Sequence, residues 1–121
     1  MKIEKIMKDE KIIALVTGSE KIITDVQSAL DLAMSVKYDT GTNKIVIDKT
    51  AIAGDFFILS TGLAGEILQK FVNYDVKIAI YGDYSKYTSK PLKDFIYESN
   101  NGKDVFFVST KEEAVQKLSE L

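Results

Sequence analysis

Asp48 and Asp83 each close a short apolar run, Ile45-Val46-Ile47 and Ile78-Ala79-Ile80-Tyr81. If both runs are parallel strands, the two carboxylates share one end of the sheet. Paired carboxylates can ligate a hard cation or divide acid and base roles. Lys49 beside Asp48, and Tyr84 beside Asp83, would add a point charge and a phenol to the same crevice. Further on, Tyr81, Tyr84, Ser85, Tyr87, Thr88 and Ser89 put six hydroxyls ahead of a helix start. Free amides and the helix dipole favour a small anion there. Each group also has an ordinary structural use. Strand-end Asp residues close turns, and Ser89 caps the helix that follows. Neither a glycine-rich dinucleotide fingerprint nor a Walker pattern accompanies them.

Composition removes more chemistry than these residues supply. The 121 residues contain no His and no Cys, and all sixteen cations are Lys. Cys/His zinc sites, triads with a His base and disulfides are excluded, as are bidentate arginine clamps. No metal site and no cofactor is expected, and the balance leans away from an enzyme. Residues 1–60 and 61–121 each carry eight Lys and nine acids, within a net charge of −2. No basic face is available for phosphate contacts, so nucleic acid is not an expected partner. Met1-Lys2-Ile3-Glu4-Lys5 lacks an apolar signal core, and no apolar run approaches the ~20 residues of a membrane span. A cytoplasmic protein that contacts no membrane is the expectation.

The elements that must position these groups follow from periodicity. Residues 2–8 and 11–16, separated by Asp9-Glu10, read as a β-hairpin. Thr24-Asp25-Val26-Gln27 reads as a capping box, with Val26, Ala29, Leu30, Ala33 and Met34 on the inner helix face and a stop before Gly41. Residues 44–48 are a strand. Leu59, Leu63, Ile67 and Phe71 recur every fourth residue, which predicts a long helix over 55–74, or one broken before Ser60. Residues 77–81 form the next strand. Ser89 and Pro91 open a helix that Gly102 stops, with Leu92, Phe95, Ile96 and Ser99 inward. Residues 104–108 are the last strand. Thr110 to Glu113 is a second capping box, with Ala114, Val115 and Leu118 inward in the final helix. Both Phe pairs, Phe56-Phe57 and Phe106-Phe107, are expected in the core, with one ring of each free to face a partner. The order ββαβαβαβα predicts a single α/β domain over 1–121, mainly parallel with an N-terminal hairpin.

Asp55-Phe56-Phe57, the run from Leu63 to Phe71, and Ser89 to Gly102 carry distinctive wording, with Thr24 to Asp31 upstream. Together they resemble the bacterial domain-of-unknown-function family numbered 4180, which implies no activity. The element order is similar to the STAS domain of anti-sigma-factor antagonists. Leu59-Ser60-Thr61-Gly62-Leu63 resembles the Asp-Ser-Ser-Gly-Leu segment of those domains, although Leu59 stands in place of the acid. The likeness implies that a kinase modifies Thr61, or else Ser60, to switch a protein partner. A regulatory interaction module is therefore the expected function, with a homodimer open. The alternative is a small-molecule or anion binder, or a small enzyme, built from Asp48, Lys49, Asp55, Phe56, Asp83, Tyr84, Ser85, Tyr87 and Ser89.

Overall fold

The computed structural model describes residues 1–121. β1 (Lys2–Lys8) and β2 (Lys11–Thr17) pair antiparallel, with Lys8 opposite Lys11. The connecting Asp9 and Glu10 both lie at positive φ, 51° and 66°. A two-residue hairpin with the twist of its strands requires this, although Gly or Asn meets it more cheaply. β3 (Lys44–Asp48), β4 (Lys77–Tyr81) and β5 (Val105–Val108) add in parallel, so the sheet order is β1-β2-β3-β4-β5.

Because the parallel strands stack in chain order, the three crossover helices share one face of the sheet. These are α1 (Val26–Thr40), α2 (Leu63–Asn73) and α3 (Lys90–Asn100). Ala29, Leu32, Ala33 and Val36 of α1, Ala64, Ile67 and Phe71 of α2, and Leu92 of α3 pack there. They meet Ala14, Val16, Ile45, Ile47, Ile78, Ile80, Val105 and Phe107. The alternate strand residues Ile13, Leu15, Val46, Ala79, Phe106 and Val108 point the other way. α4 (Lys111–Ser119) covers them with Ala114 and Leu118. Both faces are dry, which is why the strands read as continuous apolar runs.

Three expectations change on folding. The N-cap of α1 is Asp25, not Thr24: Asp25 Oδ1 accepts from the Ser28 N–H at 2.7 Å, and Ser28 Oγ accepts from the Asp25 N–H at 3.0 Å. Ile23 is held in a parallel bridge with Ile52, which delays the helix start, and Gln27 turns to Asp31 instead. Leu32 and Val36 replace Leu30 and Met34 on the inner face, and Met34 is 52% exposed. Of the two forms expected over 55–74, the single long helix is not formed, and the segment breaks after Phe57, before Ser60. Short 3-10 turns at Lys49–Ala51, Gly54–Phe57 and Leu59–Thr61 precede α2, and Gly62 (φ 78°) makes the break. At α4, Thr110 does cap the Glu113 N–H at 3.1 Å.

At the opposite end of the sheet, α2 stops in a Schellman turn. Val76 N–H donates to the Phe71 carbonyl at 2.8 Å, and Asp75 N–H to Val72 at 3.2 Å. Asp75 occupies the left-handed position, φ 56°, where Gly is usual. Its carboxylate lies 3.4 Å from Lys77 Nζ, and Asp104 is the closer partner of the same ammonium. Lys77 thereby joins the end of α2, the start of β4 and the approach to β5. Asp104 is the main reason its ammonium titrates above the usual lysine value of 10.5. A raised folded value means the stabilisation is complete below pH 10.5 and is lost as pH rises through the folded value. Lys77→Gln should cost roughly 1 kcal/mol, given partial solvent screening. The gap from wild type, followed by chemical denaturation, should close above that pH.

Candidate functional site

The carboxyl ends of the parallel strands are where an open α/β sheet usually binds ligands, at the point where strand order reverses. Here the order never reverses, and segments that follow β2 and β3 cover part of that end. Ile22 and Ile23 N–H groups donate to the Ala51 carbonyl at 2.7 and 3.1 Å, and Ala53 N–H donates to Ile23 at 2.8 Å. This lays residues 22–23 and 51–53 over the strand ends and buries Ile23, Ala51 and Ile52.

An aromatic cluster fills the space beside them. Phe57 packs edge-on to Phe56 at 5.0 Å and stacks on Tyr87 at 5.3 Å, while Tyr84 meets Phe107 edge-on at 5.8 Å. Phe56 and Phe57 are 2% and 5% exposed. Phe56 therefore belongs to the core and offers no ring to a ligand or partner. Its sequence neighbour is equally enclosed, because the 3-10 turn directs both inward. Tyr84 Oη donates to the Ile80 carbonyl at 2.8 Å, and burial pushes its phenol well above the usual range. Lys49 lays its ammonium over the Tyr87 and Phe57 rings, 5.0 and 5.7 Å from their centroids. Its stem runs against Gly82, where a Cβ would stand 2.7 Å from the Lys49 Cβ.

The polar candidates mostly serve the backbone. Asp48 Oδ1 accepts from the Thr50 N–H at 2.8 Å and the Thr50 hydroxyl at 2.9 Å. Asp83 Oδ1 accepts from the Ser85 N–H at 2.8 Å, and Ser85 holds that carboxyl below the usual carboxylate range. Ser89 Oγ accepts from the Leu92 N–H at 3.4 Å. Asp55 is exposed, and its carbonyl accepts the Thr61 hydroxyl at 2.9 Å. The Thr61 hydroxyl also lies 2.8 Å from the Ile58 carbonyl and accepts from the Leu63 N–H at 3.2 Å. Thr61 is exposed but structurally occupied. Ser60 is exposed, and its hydroxyl has no side-chain hydrogen bond of the kind Thr61 makes. Asp83, Tyr84 and Ser85 line an open depression of about 560 Å³ with Gly82 and Ser109; Asp48, Lys49, Asp55, Tyr87 and Ser89 do not line it. No three acidic side chains come together as metal ligands.

A more enclosed cavity, about 160 Å³, lies at the other end of the strands. Ala33, Ile45 and Val76 are its buried floor, Met34 and Tyr74 its exposed apolar walls, and Lys37, Asn43 and Asp75 its polar rim. Asn43 Nδ2 donates to the Asp75 carbonyl and so ties β3's approach to the end of α2. Tyr38, one turn beyond Met34 on α1, is 91% exposed. Helical periodicity points Met34 inward and gives Tyr74 no role, whereas both are exposed. The available signals were the Met34/Tyr38 pair at i, i+4 and an Asp where a helix stop favours Gly.

A family model described as Domain of unknown function (DUF4180) matches residues 8–118. No curated protein and no solved structure matches the chain.

Two substitutions test this account of the strand ends. Gly82→Ala should destabilise by about 1–3 kcal/mol, since φ is 156° and the new Cβ meets the Lys49 stem. Thr61→Glu should lower stability by about 1–2 kcal/mol through loss of the hydroxyl bridge to Asp55, Ile58 and Leu63. Urea unfolding followed by circular dichroism measures both.

Proposed function

The chain belongs to the domain-of-unknown-function family DUF4180, and we propose that it is a non-catalytic protein-interaction module. Its docking face is the C-terminal half of α1 together with the end of α2. The observation that carries this reading is the pairing of exposed Met34, Tyr38 and Tyr74 with a cavity of about 160 Å³ between the two helices. Exposed apolar side chains around a pocket mark binding surfaces, and their strongest contacts are single anchors seated in such pockets. An apolar cavity of roughly 150 Å³ accommodates a benzene ring, so one aromatic or branched side chain is the fitting anchor. Lys37, Asn43 and Asp75 supply a polar rim.

The rest of the reading rests on element order. We take the domain as STAS-like and cytoplasmic, with regulation at the turn before α2. Ser60 would accept a phosphate without loss of an existing bond. Modification of Thr61 would remove the donor to Asp55 and Ile58 and open the turn, so it would act by loosening the segment rather than by charge alone. A small-molecule site in the depression at Gly82 to Ser85 is the second reading, favoured by the shared lining of Asp83, Tyr84 and Ser85.

Met34→Glu combined with Tyr74→Glu alters two exposed positions and should leave stability within about 0.5 kcal/mol. Capture of a partner from the native lysate should fall at least about tenfold, a cost of about 1.4 kcal/mol. Asp83→Ala should leave capture unchanged. A metabolite that raises the melting temperature of wild type and of the Met34/Tyr74 variant, but not of Asp83→Ala, would replace the interaction reading with the ligand reading.

A further inference from the structure

β1 and β5 are the edge strands of the sheet, and an edge with unpaired backbone groups recruits strands unless something prevents it. β1 carries Lys2, Glu4, Lys5 and Lys8 along its length. Two-fold pairing of β1 about Lys5 would set Lys5 on Lys5 and Lys2 on Lys8, so charge protects that edge. β5 has no such protection. Residues 105–110, Val-Phe-Phe-Val-Ser-Thr, contain no charge and no Pro.

The ladder to β4 shows which groups of β5 face outward. Ile78 N–H donates to the Asp104 carbonyl and Gly82 N–H to the Val108 carbonyl, both at 3.0 Å. The even-numbered positions thus serve β4, and Val105 and Phe107 turn their N–H and C=O away from it, to the side that α3 and Asn100 cover. At Phe107 both groups are taken by one side chain. Phe107 N–H donates to Asn100 Oδ1 at 2.7 Å, and Asn100 Nδ2 donates to the Phe107 carbonyl at 3.0 Å. A carboxamide in this position reproduces the donor and acceptor that a neighbouring strand would offer. Asn100 is the last residue of α3, and the turn after it is held by Asn101 N–H to Glu98 and Gly102 N–H to Ser99. The Asn-Asn-Gly that ends this helix therefore has a use beyond stopping it.

We propose that Asn100 is an edge lock, and that the strand it excludes is β5 of a second copy of this chain. Residues opposite each other in an antiparallel pair point to the same side of the sheet. A two-fold axis normal to the sheet therefore allows pairing only where the two residue numbers sum to an even number. Pairing centred on Phe107, with Val105 opposite Ser109, meets that condition. It also uses the outward N–H and C=O that Asn100 now holds. None of the residues paired in this register, 105 to 109, carries a charge. The product would be a continuous sheet across two copies.

Light scattering of the purified protein at micromolar to millimolar concentration tests the proposal. Wild type should be monomeric, and Asn100→Ala should shift to twice the monomer mass. Adding Ser109→Pro, which removes the N–H owed to Val105 of the second copy, should restore the monomer. Amide exchange supplies a readout independent of assembly. At dilute protein the Phe107 amide should exchange at least about tenfold faster in Asn100→Ala, as for loss of one hydrogen bond of about 1.4 kcal/mol. If Asn100→Ala fails to fold, Asn100→Ser, which lacks the carboxamide that bonds both Phe107 groups, gives the same comparison and should still associate. Unchanged exchange at Phe107 would overturn the lock. Faster exchange in a protein that stays monomeric would overturn the second copy as its excluded strand. So would a wild type that is already dimeric and dissociates on Asn100→Ala.

Discussion

Every major feature of this domain depends on one constraint: its parallel strands stack in the order in which they occur. With β2 to β5 in sequence, all three crossover helices pack on one face, and the second face must be covered by whatever follows. α4 does this with two fully buried residues, Ala114 and Leu118, against Ile13, Leu15, Val46, Ala79, Phe106 and Val108. Each strand then needs apolar side chains on both sides. Phe106 and Phe107 show it most directly, since adjacent rings enter different cores and are 3% and 4% exposed.

The same constraint decides what becomes of the strand ends. Without a reversal of strand order there is no cleft between diverging helices, and the loops can fold across the sheet. The bridge between Ile23 and Ile52 and the 3-10 turns at Lys49–Ala51 and Gly54–Phe57 do so. The polar residues there then have local duties. Asp48, Asp83 and Ser89 satisfy N–H groups that the turns would otherwise leave open, and none of the chain's buried side-chain polar atoms lacks a partner. Tyr84 spends its hydroxyl on Ile80, and Lys49 covers the rings of Phe57 and Tyr87.

At the other end the helices finish without such a cover. α1 ends on Gly41 and α2 on Asp75, both in the left-handed conformation, with Lys37 donating to the Gly41 carbonyl. Asp75 lacks the conformational freedom of Gly, and its cost is offset by contacts from Asn43 and Lys77. The cavity between these helix ends is where buried floor, exposed aromatic wall and charged rim meet.

Local chemistry determined much of this in the sequence. Alternation and apolar runs located all five strands, because strand pairing demands them wherever they fall. Ser89 with Pro91, Thr110 and Gly41 marked helix ends, since a cap acts on its own neighbours. The absence of His, Cys and Arg removed whole classes of chemistry without reference to any fold. What tertiary structure decided was everything set by contacts distant in sequence. The bridge from Ile23 to Ile52 moved the start of α1 by one residue. The choice between two equivalent stripes, Leu30 with Met34 or Leu32 with Val36, was made by the sheet beneath them. Phe56 was drawn into the core by Phe57 and Phe107. The carboxylates of Asp48 and Asp83, chemically suited to a shared site, were turned into separate loops. Sequence marks only Gly102 as the stop of α3; the position of Asn100 beside β5 makes it a partner for Phe107.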